Sequence, residues 1–152
     1  MKRLLLYILI FLSYSLMALA DSYIYKGASS YRSDILYTWN GKVLFQGSST
    51  YRSNILLTFD GKYLYKGDST YSSDILYTWD GKHLYKGKSS YRSDILFTWD
   101  GKYLYRGNST YSSDILLYYD KKNIYKGKSS YRSDILYTTD SPIPIPIIAI
   151  II

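Results

Sequence analysis

A 20-residue period, kept without a single insertion or deletion, constrains this chain more than any other feature in it. Tyr31, Tyr51, Tyr71, Tyr91, Tyr111 and Tyr131 fall 20 apart, as do Gly27, Gly47, Gly67, Gly87, Gly107 and Gly127. Such a period marks an array in which one short unit cannot bury its own apolar face and stacks on its neighbours instead. Constant spacing implies that each unit registers with the next, although recent duplication would leave the same trace.

Within one unit, Ile75-Leu76-Tyr77-Thr78-Trp79 reads as a strand, Asp80-Gly81 as a two-residue turn, and Lys82-His83-Leu84-Tyr85-Lys86 as the returning strand. Asx-Gly between such runs is a strong hairpin signal, because a type I′ turn needs positive φ at both central residues. Asn40-Gly41, Asp60-Gly61 and Asp100-Gly101 repeat it, whereas the fifth copy has Asp120-Lys121 and is expected to hold the loosest turn. That turn places Ile75, Tyr77, Trp79 and Leu84 on one face, and Leu76, Thr78, His83 and Tyr85 on the other. Composition agrees: Glu is absent and Gln46 is the sole Gln, while 21 Tyr stand beside Thr, Ile, Trp and Phe. The expected class is all-β, built of tandem β-hairpins.

Two arrays satisfy the period. A β-solenoid would stack Lys62, Lys82 and Lys102 about 4.8 Å apart, well within a Debye length. An antiparallel meander doubles that separation and is preferred. The repeat region opens on a returning-type strand, Tyr23 to Lys26, and ends on an outgoing-type strand, Ile135 to Thr138. If the two pair, the meander closes into a ring or barrel with no free edge; if not, the array stays open.

The flanks have different compositions. Lys2 and Arg3, an apolar run from Leu4 to Met17 and the Ala18-Leu19-Ala20 site describe a secretory signal peptide over residues 1–20. The repeat domain spans 21–140, and 141–152 is an apolar tail rich in Pro and Ile. Pro142, Pro144 and Pro146 argue against a regular helix through Pro146, so the tail is read as an extended strand capping the array, with contact to a membrane or a partner as its alternative. There is no Cys, so the exported chain lacks disulfides and must be held by packing and hydrogen bonds. Without the leader, 17 basic residues face 12 aspartates, near +5.

The search for chemistry is short. His83, the single histidine, occupies a position held by Val43, Tyr63, Tyr103 and Asn123 elsewhere, so it reads as a strand residue, not a catalytic or metal group. Ser33-Asp34 and its copies read as turn and strand-entry braces; one Asp per unit is thin for calcium. No catalytic residue, metal site or cofactor is expected. Arg32, Arg52, Arg92 and Arg132 form a basic stripe interleaved with Tyr; nucleic acid is excluded by export, leaving anionic envelope polymers or lipid headgroups. Thr38, Thr58, Thr78 and Thr98 are single and flanked by aromatics, unlike a flat ice-binding array. The best candidate is the aromatic file Trp39, Phe59, Trp79, Trp99 and Tyr119, one residue before each turn, whose even spacing suits stacking on sugar rings or quaternary amines; the competing expectation is packing over the adjacent hairpin.

The stretch "YKGDSTYSSDILYTWDGKHLYKGKSSYRSDILFTWDGK" resembles tandem repeats of exported bacterial proteins with the pattern Y-x-G-x-S-x-Y-x-S-D-I-L, over Tyr25 to Asp140. The resemblance implies an exported repeat protein and brings no activity with it. A looser likeness to choline-binding cell-wall repeats is architectural, since their Gly-Trp pairing is missing. The resulting expectation is a non-catalytic protein, periplasmic or at the cell surface, binding an envelope glycan or a protein through repeated aromatics, with membrane contact only through its tail. The rival expectation is an enzyme or enzyme inhibitor built on the same repeat.

Overall fold

The computed structural model describes residues 20–152; the expected signal peptide lies, but for its last residue, outside the described residues. Strand β1 (Ser22–Lys26) is followed by five hairpins: β2 and β3 (Ile35–Trp39, Val43–Gln46), β4 and β5 (Ile55–Phe59, Tyr63–Lys66), β6 and β7 (Ile75–Trp79, His83–Lys86), β8 and β9 (Ile95–Trp99, Tyr103–Arg106), and β10 and β11 (Ile115–Tyr119, Asn123–Lys126). Strand β12 (Ile135–Thr139) and helix α1 (Ile145–Ile151) complete the chain. All strands are antiparallel, each pairs with its neighbour in sequence, and β1 pairs with β12, so the meander closes into a twelve-stranded barrel. The solenoid alternative is thereby replaced by the closed ring.

Closure uses a hairpin split between the two ends. Ile24 lies opposite Thr139, as Leu84 lies opposite Trp79 in an intact hairpin. Asp140 then supplies what a turn aspartate supplies elsewhere: its N–H donates to the Tyr23 carbonyl at 3.2 Å, and its carboxylate accepts from the Tyr23 N–H at 3.2 Å. Ser141 N–H donates to Ser22 Oγ at 3.1 Å beside it. The seam therefore pairs its backbone without a covalent turn, and no edge strand is left open to another chain.

The turns differ from expectation in one respect. Asp80 N–H donates to the His83 carbonyl, so the central pair is Gly81-Lys82. Only the glycine has positive φ, +97°, which is the requirement of a II′ turn and not of the I′ turn expected. Lys121 takes the same place in the fifth turn at φ +77°, the one non-glycine residue with positive φ among the described residues.

Faces follow the hairpin register. Leu44, Leu64, Leu84, Leu104 and Ile124 point inward and are fully buried, with Tyr77, Trp79, Phe97 and Trp99 packed against them. Ile75, expected inside, is half-buried and outside this cluster, because a β-bulge between Leu64 and Tyr65 breaks the alternation at the strand entry. On the outer face each Thr is covered, and its hydroxyl donates to the carbonyl of the glycine ending the returning strand: Thr78 to Gly87 at 2.8 Å, and across the seam Thr138 to Gly27 at 2.8 Å. This closes the ice-binding comparison.

The tail is helical, not extended. Pro146 falls in the first turn of α1, where its missing N–H costs nothing, and Pro144 precedes the helix in an extended conformation. Ile147 and Ile148 are fully buried in the same cluster as the inward leucines, so α1 fills the barrel interior. A helix apolar on every side requires a surrounding apolar wall, and the barrel lumen provides one. Tyr137 donates its hydroxyl to the Ile151 carbonyl at 2.8 Å, and Ile143 N–H donates to the Tyr119 hydroxyl at 2.9 Å, tying the plug at both ends. None of the described helices is long and apolar enough to cross a membrane.

Candidate functional site

The barrel has two chemically distinct ends. Turns 40–42 and their equivalents ring one end, where the chain also leaves β12 to enter the lumen; the longer loops, each with a 3₁₀ turn such as Arg92–Asp94, ring the other. The aromatic file stands at the turn end, on the inner face, around α1. Trp39 and Tyr119 are buried at 5% and 7% exposure, while Phe59, Trp79 and Trp99 are half-buried against the same cluster. Two open clefts remain between the file, the turns and the incoming tail. One, of about 670 Å³, lies between Trp99, Tyr119, Lys102, Asp120 and Pro142. The other, of about 530 Å³, lies between Trp39, Phe59, Lys42, Asp60 and Pro144. Four of the five file residues thus line a cleft, each cleft flanked by a lysine and an aspartate.

Each turn aspartate is an organising group. Asp80 Oδ1 accepts the N–H groups of Lys82 at 2.8 Å and His83 at 2.6 Å, and Oδ2 accepts the Tyr85 hydroxyl at 2.8 Å. Partial burial raises such a carboxyl, yet the donated N–H and O–H groups outweigh it and hold Asp60, Asp80, Asp100 and Asp120 below the usual carboxylate range. The partner tyrosines move the other way: its hydrogen bond to Asp100, then burial, pushes the Tyr105 hydroxyl up to about 12. His83 belongs to this brace, its Nδ1 3.0 Å from Asp80 Oδ2 and its ring 6.0 Å from that of Tyr85. No cluster of three or more metal-ligating side chains occurs among the described residues.

The fifth copy is the irregular one. Tyr118 replaces the outer threonine, stacking on Tyr125 at 5.3 Å and lying 5.4 Å under the Lys102 ammonium. Beside it, Tyr119 meets the tail. This unit therefore shapes the larger cleft.

A group that sequence reasoning used only as a ruler stands at the loop end. Tyr31, Tyr51, Tyr71, Tyr91, Tyr111 and Tyr131 are 74–77% exposed, the most exposed aromatics among the described residues. Their loops are braced: Ser89 Oγ accepts the Tyr91 N–H at 3.1 Å and donates to Asp94 Oδ2 at 2.5 Å, and Asp94 N–H donates to the Tyr91 carbonyl at 3.0 Å. The aspartate of the Ser-Asp motif is thus a loop brace, but its close serine partner is Ser89, five residues earlier, and not the adjacent Ser93; the brace holds an aromatic ring in water. The signal available in the sequence was a large aromatic inside a run of Ser, Thr and Arg, where no strand could cover it.

A scan against family models matches the 6-fold beta flower protein over residues 24–151, which is nearly the whole described chain. The chain belongs to the 6-fold beta flower family. Its six petals are the five hairpins and the split sixth, and the flower's centre is α1. Comparison with curated proteins and with solved structures found no match.

Proposed function

We propose that this flower is an exported, non-catalytic repeat scaffold that binds a glycan of the cell envelope at its turn end. The observation that carries the reading is the pair of aromatic clefts: Trp39 and Phe59 in one, Trp99 and Tyr119 in the other, each with a lysine and a buttressed aspartate at its edge. An aromatic face stacks on the apolar face of a sugar ring, while a carboxylate held ionised accepts its hydroxyls, so one cleft suits one sugar unit of a polymer. Repetition around the rim adds avidity. Choline-type cations suit the same rings, by cation-π attraction, and are the second ligand class to include.

The three tryptophans of the chain, at 39, 79 and 99, all lie at this end, so their emission reports occupation directly. Titration of the protein with solubilised envelope polysaccharide is expected to shift tryptophan emission and to retain the protein in a pull-down. The double variant Phe59→Ala, Trp99→Ala is expected to bind at least tenfold more weakly while keeping its β-sheet circular dichroism. Retention without any tryptophan response, or undiminished binding by the double variant, would sink the reading.

A further inference from the structure

The loop end, opposite the clefts, carries a surface that the glycan reading does not use. Its charge is lopsided. Between the strand ends and the loop tips it holds eleven cations against six aspartates, net +5, while the turn end holds six lysines against six aspartates, Asp21 included, and is neutral. Five of those six loop-end aspartates accept a serine hydroxyl within their own loop, and the sixth, Asp68, pairs with Arg52 at 2.6 Å.

The cations are distributed by a rule that only the folded ring makes visible. Residues 16 apart face each other across a junction between petals: Arg52 with Asp68, Lys88 Nζ donating to Ser72 Oγ at 3.1 Å, Lys128 Nζ donating to Ser112 Oγ at 2.6 Å. Wherever the first position is Ser the second is Lys; wherever it is Arg the second is Ser48, Asp68 or Asn108 and, across the seam, Arg132 faces Ala28. Arg never faces Lys. At five junctions the facing pair therefore holds one cation and no carboxylate, and at the sixth Arg52 and Asp68 are neutral together.

Six braced tyrosines with a cation beside nearly every one form a crown. Because the six loops are copies set around one end of a closed ring, their tips share a plane. A linear polymer could touch two neighbouring tips, whereas a flat surface meets all six together, and multivalent contact rewards the second arrangement. Tyrosine, with an apolar ring and a polar tip, is suited to the headgroup layer of a bilayer. Each cation near an anionic leaflet adds an attraction that decays within a Debye length and weakens as salt rises.

We infer that the tyrosine and cation crown docks the flower face-down on an anionic phospholipid surface, leaving the turn-end clefts pointing away from the bilayer. This inference goes beyond the glycan reading and stands on different residues. It replaces the tail, buried as α1, as the part of the molecule that meets a membrane.

The test is sedimentation of the full chain with vesicles of phosphatidylcholine containing 30% phosphatidylglycerol, against pure phosphatidylcholine vesicles and a soluble dextran sulfate. The chain is expected to sediment with the anionic vesicles and to leave them as salt rises, with no shift of tryptophan emission because the tryptophans face away. The sixfold variant Tyr31→Ser, Tyr51→Ser, Tyr71→Ser, Tyr91→Ser, Tyr111→Ser, Tyr131→Ser, and separately the fourfold variant Arg32→Gln, Arg52→Gln, Arg92→Gln, Arg132→Gln, are expected to bind at least tenfold more weakly. Any leader contribution is common to all three proteins and cancels in the comparison. Equal binding to both vesicle types, unchanged binding of either variant, or preference for dextran sulfate over vesicles would overturn it, as would a tryptophan shift on vesicle addition, which would mean that the turn end or the plug makes the contact. Glycan retention by a flower that ignores vesicles would overturn the crown alone and leave the clefts standing.

Discussion

The turn end and the loop end of this barrel are built from the same six copies of one repeat, yet they use aromatic residues in opposite ways. At the turn end Trp39 and Tyr119 are buried against α1 and their neighbours half-buried, so the rings hold the plug and leave clefts between them. At the loop end the rings of Tyr31 and its five copies are about three-quarters exposed, and a loop braced through the tyrosine backbone keeps each ring in water. One end spends aromatic surface on stability and the other does not. The difference should appear in stability measurements before any ligand is known.

The largest effect is expected inside the lumen. Ile147 is a fully buried member of the cluster, and Ile147→Asp places an unpaired carboxylate there, expected to cost about 4 kcal/mol or more, a large share of the stability of an ordinary domain. Thermal unfolding followed by circular dichroism measures it. A variant that melts within a few degrees of the parent would show that the barrel stands without its plug, and the contrast between the ends would lose its basis.

Acid is the next lever, acting on four turns together. Asp60, Asp80, Asp100 and Asp120 have folded pKa values depressed below their unfolded ones, so their contribution is present above the unfolded value, about 4, and is lost as pH falls through the folded values. Tyr105 has the opposite sign: its folded pKa is raised to about 12, so its contribution is full below about pH 10 and disappears as pH rises through 12. The melting temperature is therefore expected to be level between about pH 5 and 9 and to fall on either side. In the Asp80→Asn, Asp100→Asn variant the acid slope should flatten, and an unchanged slope would place the acid sensitivity elsewhere.

Much of this architecture was legible in the repeat. The half-hairpins at its two ends, Tyr23–Lys26 and Ile135–Thr138, announced that closure was available, and the alternation of Tyr77, Trp79 and Leu84 set the inner face. What escaped were features determined by the assembled ring. The Ile-rich tail has poor intrinsic helix propensity and three prolines, and it becomes a helix because an apolar lumen accepts a helix apolar all round. Ile75 left the inner face because of a bulge that no residue type marks. The crown escaped because its six tyrosines lie 20 residues apart and are gathered at one end only by the closed ring, and the pairs 16 apart likewise became neighbours only in the antiparallel ring.

Lys121 offers a smaller, local probe of the turn end. It holds φ +77° where the other copies have glycine, a conformation that costs a side-chain-bearing residue about 1 kcal/mol. Lys121→Gly is therefore expected to stabilise the flower by about that amount, read as a higher denaturation midpoint at unchanged slope. A lower midpoint would mean that the Lys121 side chain, at the edge of the larger cleft, contributes more through contact than its backbone loses.

The smallest expected effect is the one that best separates the two ends. Tyr91 is 74% exposed, and its backbone, not its ring, makes the loop's hydrogen bonds to Ser89 and Asp94. Tyr91→Ser should change stability by no more than about 0.5 kcal/mol, whereas the half-buried Trp99 should cost about 3 kcal/mol on truncation to Ala. If Tyr91→Ser proves as costly as Trp99→Ala, the crown is part of the fold's own packing and its exposure needs no partner to account for it. If the two differ as expected, the fold does not depend on the crown rings, and their six faces stay free for the docking tested by vesicle sedimentation.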